Sequence, residues 1–422
     1  MTGRRRRAFS FIAALAIFAG LTACSSSKSP SSTSNTTAAG SSATTSASGG
    51  GTATGSPINV GIICDCTGAL ASAGADGPAV YRAWASSVNA QGGLNGHPVK
   101  VFLVDTQSNP ANATSAVQTL VNSDHAIALV DWSNLSPVFA SAVAAAKVPV
   151  VGANVSELEM YQSPYFFSQG QTEDSLYASI IGAAKSAGAT NLALFYCAEA
   201  TQCQEGIKPL QDVGAQLGLP VVYTGEVAAT APNYTAQCLA AQQQHVTGLF
   251  IADIALVQLK AAKDCNQQGY HPIYVIDGVV LAPGDLTNPG LKDQTAAPVS
   301  NLPYFDTSSP AVQAMDNAVN KYAPGTLTNS DWNEFASLMW PAGLLLADAV
   351  KQGNVGANGA TPTAAGIMSG LEGLNGDTLD GWAPPLTFPA GKAHPISCWF
   401  VAQVKNGQFL LPQGTKVSCQ NG

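Results

Sequence analysis

Short runs of consecutive apolar residues alternate along most of the chain with longer stretches in which apolar positions recur every three or four residues. Pro57–Ile63, Val99–Asp105, Ala126–Val130 and Val148–Val151 are of the first kind and read as buried strands. Between them Gly77–Ala90, Asn109–Val121 and Pro137–Ala146 read as helices, Asn109-Pro110 supplying an N-cap residue and a first-turn proline. Strand followed by helix, joined by short Gly, Asn and Pro turns, means a parallel sheet covered on both faces. The rhythm restarts after Tyr165-Phe166-Phe167: helices over Ser175–Ala187, Gly206–Leu217, Tyr234–Gln244 and Leu256–Gln267 alternate with strands over Asn191–Tyr196, Val221–Tyr223, Gly248–Ile251 and Pro272–Ile276. Pro310–Tyr322 and Trp332–Gln352 then read as helices, and Pro385–Phe388 and Cys398–Val404 as late strands.

The pattern predicts an α/β protein of two doubly wound, Rossmann-like lobes joined by hinge strands, with a ligand cleft between the carboxyl ends of their sheets. Lobe 1 is expected at 57–172 and 304–380, lobe 2 at 173–303 and 381–422, with hinges near Gln169–Thr172 and Pro303–Asp306.

The N-terminus does not fit this rhythm. Arg4–Arg7 followed by apolar Ala8–Leu21 is a basic region and an apolar region of about 14 residues, short of the roughly 20 needed to span a bilayer. Leu21-Thr22-Ala23-Cys24 has the form of a bacterial lipobox, so residues 1–23 are expected to be a cleaved export signal and Cys24 to carry a lipid on its sulfur. Of the 32 residues Ser25–Ser56, 24 are Ser, Thr or Gly and one, Lys28, is charged, so 24–56 reads as a linker between membrane and folded body.

Charged residues make up only 10% of the chain, and removing the four signal arginines moves the formal charge from −8 to −12. Nucleic-acid binding needs a dense Lys/Arg footprint and is excluded as a reading. Nine cysteines less Cys24 leave eight, an even number in an exported chain, for which 105 pairings exist. Local spacing favours Cys197–Cys203 across one loop and Cys398–Cys419 across a C-terminal hairpin; Cys238 and Cys265 fall on helices flanking one strand, and elimination leaves Cys64 with Cys66. Neither CxxC nor HxxxH occurs, so no metal site and no cofactor is expected.

The run Val88-Asn89-Ala90-Gln91-Gly92-Gly93-Leu94-Asn95-Gly96-His97-Pro98-Val99 matches the turn N-x-x-G-G-[IL]-x-G-x-x-[IVL] of the type I periplasmic-binding-protein fold. Val60-Gly61-Ile62 with Thr67-Gly68, Asp105–Pro110 and Val148–Val151 fit in order, and on these residues the chain resembles the leucine/isoleucine/valine-binding protein family of ABC transporters from Pro57 onward. The glycines serve backbone geometry, a helix stop at positive φ and a chain reversal.

The resemblance implies ligand contacts from two loops of lobe 1, with Ser133 at the family's carboxylate-binding serine, Asn154 giving a backbone carbonyl and Ser156 a hydroxyl. It implies Asp277 as the acidic partner for a ligand ammonium, and Trp132 stands where an aromatic could wall the cleft. Ser133 and Ser156 could equally cap the helices after their loops, and Asp277 could be a turn residue before Gly278. The family's aromatic contacts to a branched side chain fall here near Ala73 and near Asp253, Ile254 and Ala255, so the pocket for that side chain is not retained.

No GxSxG, P-loop, HExxH or GxGxxG is present; the five histidines stand alone at loops or strand starts, where solvated surface is expected, and no enzyme activity is expected. Glu157 and Glu159, as alternate residues, are not expected to share a proton. The reading is a monomeric, lipid-anchored protein on the outer face of a bacterial cell membrane. It takes up a small polar ligand, an amino acid or a related amide or carboxylate, and hands it to ABC permease subunits. The alternative is a ligand-sensing or cell-envelope interaction protein on the same fold.

Overall fold

The computed structural model describes residues 52–68, 71, 76–199, 201–329 and 332–420. The expected signal, Cys24, most of the expected linker and Ala73 lie outside the described residues.

The chain opens with β1 (Ile58–Cys64), α1 (Gly77–Ala90), β2 (Val99–Asp105), α2 (Pro110–Gln118), β3 (Ala128–Trp132), α3 (Ser136–Ala146), β4 (Val150–Ala153), α4 (Glu159–Gln162) and β5 (Phe166–Phe167). These strands form one parallel sheet in the order β2-β1-β3-β4-β5. There follow α5 (Leu176–Ser186), β6 (Leu192–Cys197), α6 (Thr201–Glu205), α7 (Ile207–Gln216), β7 (Val221–Val227), α8 (Thr235–Gln243), β8 (Gly248–Ala252), α9 (Ala255–Gln267), β9 (Ile273–Val275) and β10 (Thr295–Val299). Here the parallel order is β7-β6-β8-β9-β10, the same permutation as in the first sheet. In both sheets the winding direction reverses at the first strand of the unit, which opens a crevice at the carboxyl ends.

The chain then returns through α10 (Pro310–Tyr322), α11 (Glu334–Ser337), α12 (Met339–Gln352) and α13 (Ala364–Glu372) to a small ladder of β11 (Asn375–Asp377) and β12 (Leu386–Thr387). It ends with β13 (Cys398–Lys405), β14 (Gln408–Leu410) and β15 (Ser418–Cys419); β13 adds antiparallel to β10 at the edge of the second sheet.

Local chemistry accounts for the element ends. Asn109 Oδ1 accepts from Ala111 N at 2.8 Å and starts α2. Gly92 and Gly93 hold φ of 101° and 74°, a conformation open to glycine, and let Gly93 N return to Val88 O at 3.0 Å. The single helix expected over Trp332–Gln352 is two: Asn333 Oδ1 caps α11 through Ala336 N, and Pro341, lacking an N–H, cannot bond Ser337 O, so the helix restarts as α12. In the first core Gly343 of α12 lies directly under Trp84 of α1, where a Cβ would come within 2.3 Å of the ring.

Cysteines are paired at 64–66, 197–203, 238–265 and 398–419, with Cα separations of 5.1, 5.5, 5.0 and 4.0 Å. Two histidines depart from the solvated surface expected of them. His97 is buried with Nδ1 2.6 Å from Ser56 O and Nε2 2.9 Å from Gly356 O, so it pins the segment entering β1 to the end of α12. His394 is buried against Phe167 at 4.6 Å and Phe388 at 5.2 Å, and burial pushes its pKa down to about 4.

Three segments pass between the sheets and are stitched together. Asn301 Nδ2 donates to Gln169 O at 2.8 Å and to Trp382 O at 3.1 Å. Thr172 N donates to Ile396 O at 3.1 Å, and Ile396 N returns to Thr172 Oγ1 at 2.8 Å.

Candidate functional site

The carboxyl end of the first sheet carries a closed polar network. Asp65, just past β1, accepts hydrogen bonds from Thr106 Oγ1 in the loop after β2 and from Ser133 Oγ at 2.9 Å and Asn134 N at 2.8 Å in the loop after β3. Ser133 Oγ in turn accepts from Leu135 N at 3.0 Å. Asn154 ties the second loop to the first: its N donates to Asp131 O at 2.9 Å, its Nδ2 to Ser133 O at 3.0 Å, and its Oδ1 accepts from Ser156 N at 3.2 Å. Asp131 is fully buried and bonded by Ser136 Oγ; burial, with the charge of Glu157 beside it, holds its pKa well above the carboxylate range. Trp132 is buried, stacked on Phe335 at 4.3 Å and seated over Gly77 of α1.

Next to this network is a small open cleft, with a cavity of about 10 Å3, lined by Val155 and Ser156 from the loop after β4, by Gln171, Thr172, Glu173 and Leu176 at the first crossing, and by Asp277, Val279 and Ser300 after β9 and β10. Val155 and Val279 of its lining pack with Leu338 in an apolar cluster.

The cleft is acidic. Asp277 is pushed up to about 6 by burial, against one hydrogen bond from Val279 N at 3.2 Å. Glu157 is pushed up to about 7, again by burial, with hydrogen bonds from Ser136 opposing. Glu173 lies well above its ordinary value through burial and the neighbouring charges of Asp277, Glu157 and Asp174.

Of the residues implied by the resemblance, the structure brings Ser156 and Asp277 to the cleft wall. Trp132, Ser133 and Asn154 are buried and are not among the lining residues. The Ser133 hydroxyl is engaged with Asp65 and Leu135, whereas the Ser156 hydroxyl makes no hydrogen bond to another described residue. Sequence reasoning missed Glu173 and gave Glu157 no ligand role. The available signal for Glu173 was its place immediately after the expected hinge at Gln169–Thr172, where both lobes come nearest.

The model of the periplasmic binding protein family matches residues 57–408, and the chain belongs to that family. Among solved structures it is similar to a branched-chain amino acid ABC transporter protein from Thermus thermophilus with bound valine, at TM-score 0.73 and 15% identity over 85% of this chain and 96% of that one. It is likewise similar to a fatty acid ABC transporter substrate-binding protein from Thermomonospora curvata (0.68, 18%, 87% and 95%) and to a leucine-binding protein from Thermotoga maritima (0.66, 16%, 86% and 99%). No curated protein matches the chain by sequence. The fold is the type I periplasmic-binding-protein fold, and the role it supports is solute binding.

Proposed function

We propose that the chain is the extracytoplasmic, lipid-anchored solute-binding protein of an ABC importer, which takes a small polar ligand between its lobes and delivers it to permease subunits. The observation that carries this reading is the make-up of the cleft: one loop from the first sheet, one crossing segment and two loops from the second sheet meet around the same space. A ligand there touches both lobes at once, so it favours whichever lobe arrangement lets it do so. The three stitched crossings are the hinge in this reading, lobe 1 being 57–172 with 304–380 and lobe 2 the remainder of the folded body. Ser156 and Asp277 are proposed as direct ligand contacts, and Trp132, Ser133 and Asn154 as the frame that holds the Ser156 loop.

Thermal unfolding of the full chain against amino acids, amides, nucleosides, sugars and small organic acids tests the binding reading. A ligand at about one hundred times its Kd adds roughly 2.7 kcal/mol and raises Tm by several degrees. A screen without any shift favours the sensing or envelope-interaction alternative. Anchoring is tested separately: Cys24→Ala should move the protein from the membrane fraction to the soluble one and abolish incorporation of labelled fatty acid.

A further inference from the structure

The cleft as it stands has almost no room. Its cavity of about 10 Å3 admits about one water molecule, so anything larger enters only if the walls part. Apolar side chains hold those walls together. Val155 from the loop after β4, Val279 from the turn after β9 and Leu338 between α11 and α12 form a cluster of their own, with Val280 and Phe335 packed against it. Val155 and Val279 line the cleft, yet at 3% and 9% exposure they are withdrawn from water, and Leu338 at 0% is wholly so. Val155 belongs to the loops of the first sheet and Val279 to those of the second, so the contact joins the two halves where they would separate.

Neither side of the contact can swing away by itself. The turn carrying Val279 is closed by hydrogen bonds from Val280 N to Asp277 O and from Leu281 N to Gly278 O, both 3.1 Å. It is pressed against β10: a Cβ at Gly278 would come within 2.1 Å of Pro298 O and 2.2 Å of Val299 Cγ1. Glu334 N, at the start of α11, donates to Leu281 O at 2.9 Å, so the turn is also held by its backbone. On its other side α11 is fixed to the first sheet, Phe335 stacking on Trp132 at 4.3 Å. Asn154, beside Val155, is tied to Asp131 O and Ser133 O. With both sides fixed, the cluster comes apart only when one half moves against the other. Apolar burial of this kind forms without any ligand.

We propose that Val155, Val279 and Leu338 form a latch that keeps the cleft shut in the ligand-free protein. The latch rests on the two-lobe solute-binding reading and adds how access is controlled. A ligand then waits for the latch to open, so its association is slow and levels off at high concentration at the rate of opening. Apparent affinity is reduced by the fraction of protein that is open, and a weaker latch restores it.

The test measures the distance between spin labels on Ser115→Cys in α2 and Gln216→Cys in α7 of the full chain, with no ligand added. Both positions are exposed, one in each proposed lobe. With the latch intact a single population is expected, at the separation these positions have in the structure. Val279→Ser and Leu338→Ala should each add a longer-distance population of about a tenth or more. Longer distances already dominating with the latch intact overturn the proposal, as does a distribution that neither variant changes. Asn301→Ala at the crossings separates the two failures. If it alone lengthens the distances, the latch falls and the lobes stand; if no variant does, the two-lobe reading falls with the latch. Should Leu338→Ala not fold, Val279→Ser at the cleft wall decides alone.

Discussion

Two carboxylates stand past the carboxyl ends of strands, one in each sheet, and they do opposite things. Asp65, past β1, is buried and accepts three hydrogen bonds from two loops. Asp277, past β9, accepts one, from its own turn, and faces Glu173 across open space. The number of internal partners separates an acid that holds a fold together from one that keeps an oxygen unused, as the proposed ligand contact requires.

The comparison breaks most readily at Asp65. Asp65→Ala orphans the donors of Thr106, Ser133 and Asn134 and should lower stability by about 3 kcal/mol, measured by denaturant unfolding. If it costs no more than Asp277→Asn does, partner number is the wrong criterion. Unliganded stability should also fall on the alkaline side. Glu334 at the start of α11 is fully buried, with one oxygen bonded by Tyr304 N at 3.2 Å, and burial pushes it up to about 8 from its ordinary 4.5. A raised carboxylate contributes stability that is complete below its unfolded value and is lost as pH rises through its folded value. Stability should therefore decline from pH 5 to pH 8, and Glu334→Gln should recover about 2 kcal/mol at pH 8. His394 acts in the opposite sense: depressed to about 4, it contributes above its ordinary 6.5 and that contribution is lost as pH falls through 4. Asn301→Ala removes two bonds between crossing segments and should cost about 1–2 kcal/mol, with a larger effect on ligand affinity than on Tm if the crossings are the hinge. The least consequence belongs to Lys208→Ala on the surface of α7, within about 0.5 kcal/mol of no change.

Much of the architecture was legible in the chain. The parallel units follow from apolar runs separated by amphipathic stretches, and spacing, helix placement and elimination together name the same four cysteine pairs that lie at bonding distance. β10 escaped notice because Thr295-Ala296-Ala297-Pro298-Val299 is weakly apolar and holds a proline, a strand made plausible only by neighbours on both sides. α13 escaped because its apolar residues are few among Ala and Gly, and its start depends on the Thr363 cap. The site was harder still. Nothing in Ser133 as a residue type announces that its hydroxyl is taken by an aspartate 68 positions away. Nor does Glu173 show that Asp277, 104 positions later, lies across a cleft from it. Burial of His394 depends on Phe167 and Phe388, brought together only by the folded crossings.

In the proposed two-lobe reading, three connections constrain more than one does. A single strand would let one lobe swivel, slide and nod against the other, while three segments bonded side to side through Asn301, Thr172 and Ile396 resist both torsion and shear. In that reading, bending about the line that joins them is the one soft coordinate left. Opening and shutting along it need no search through relative orientations, so the distance between any labelled position on one lobe and any on the other should report the whole motion.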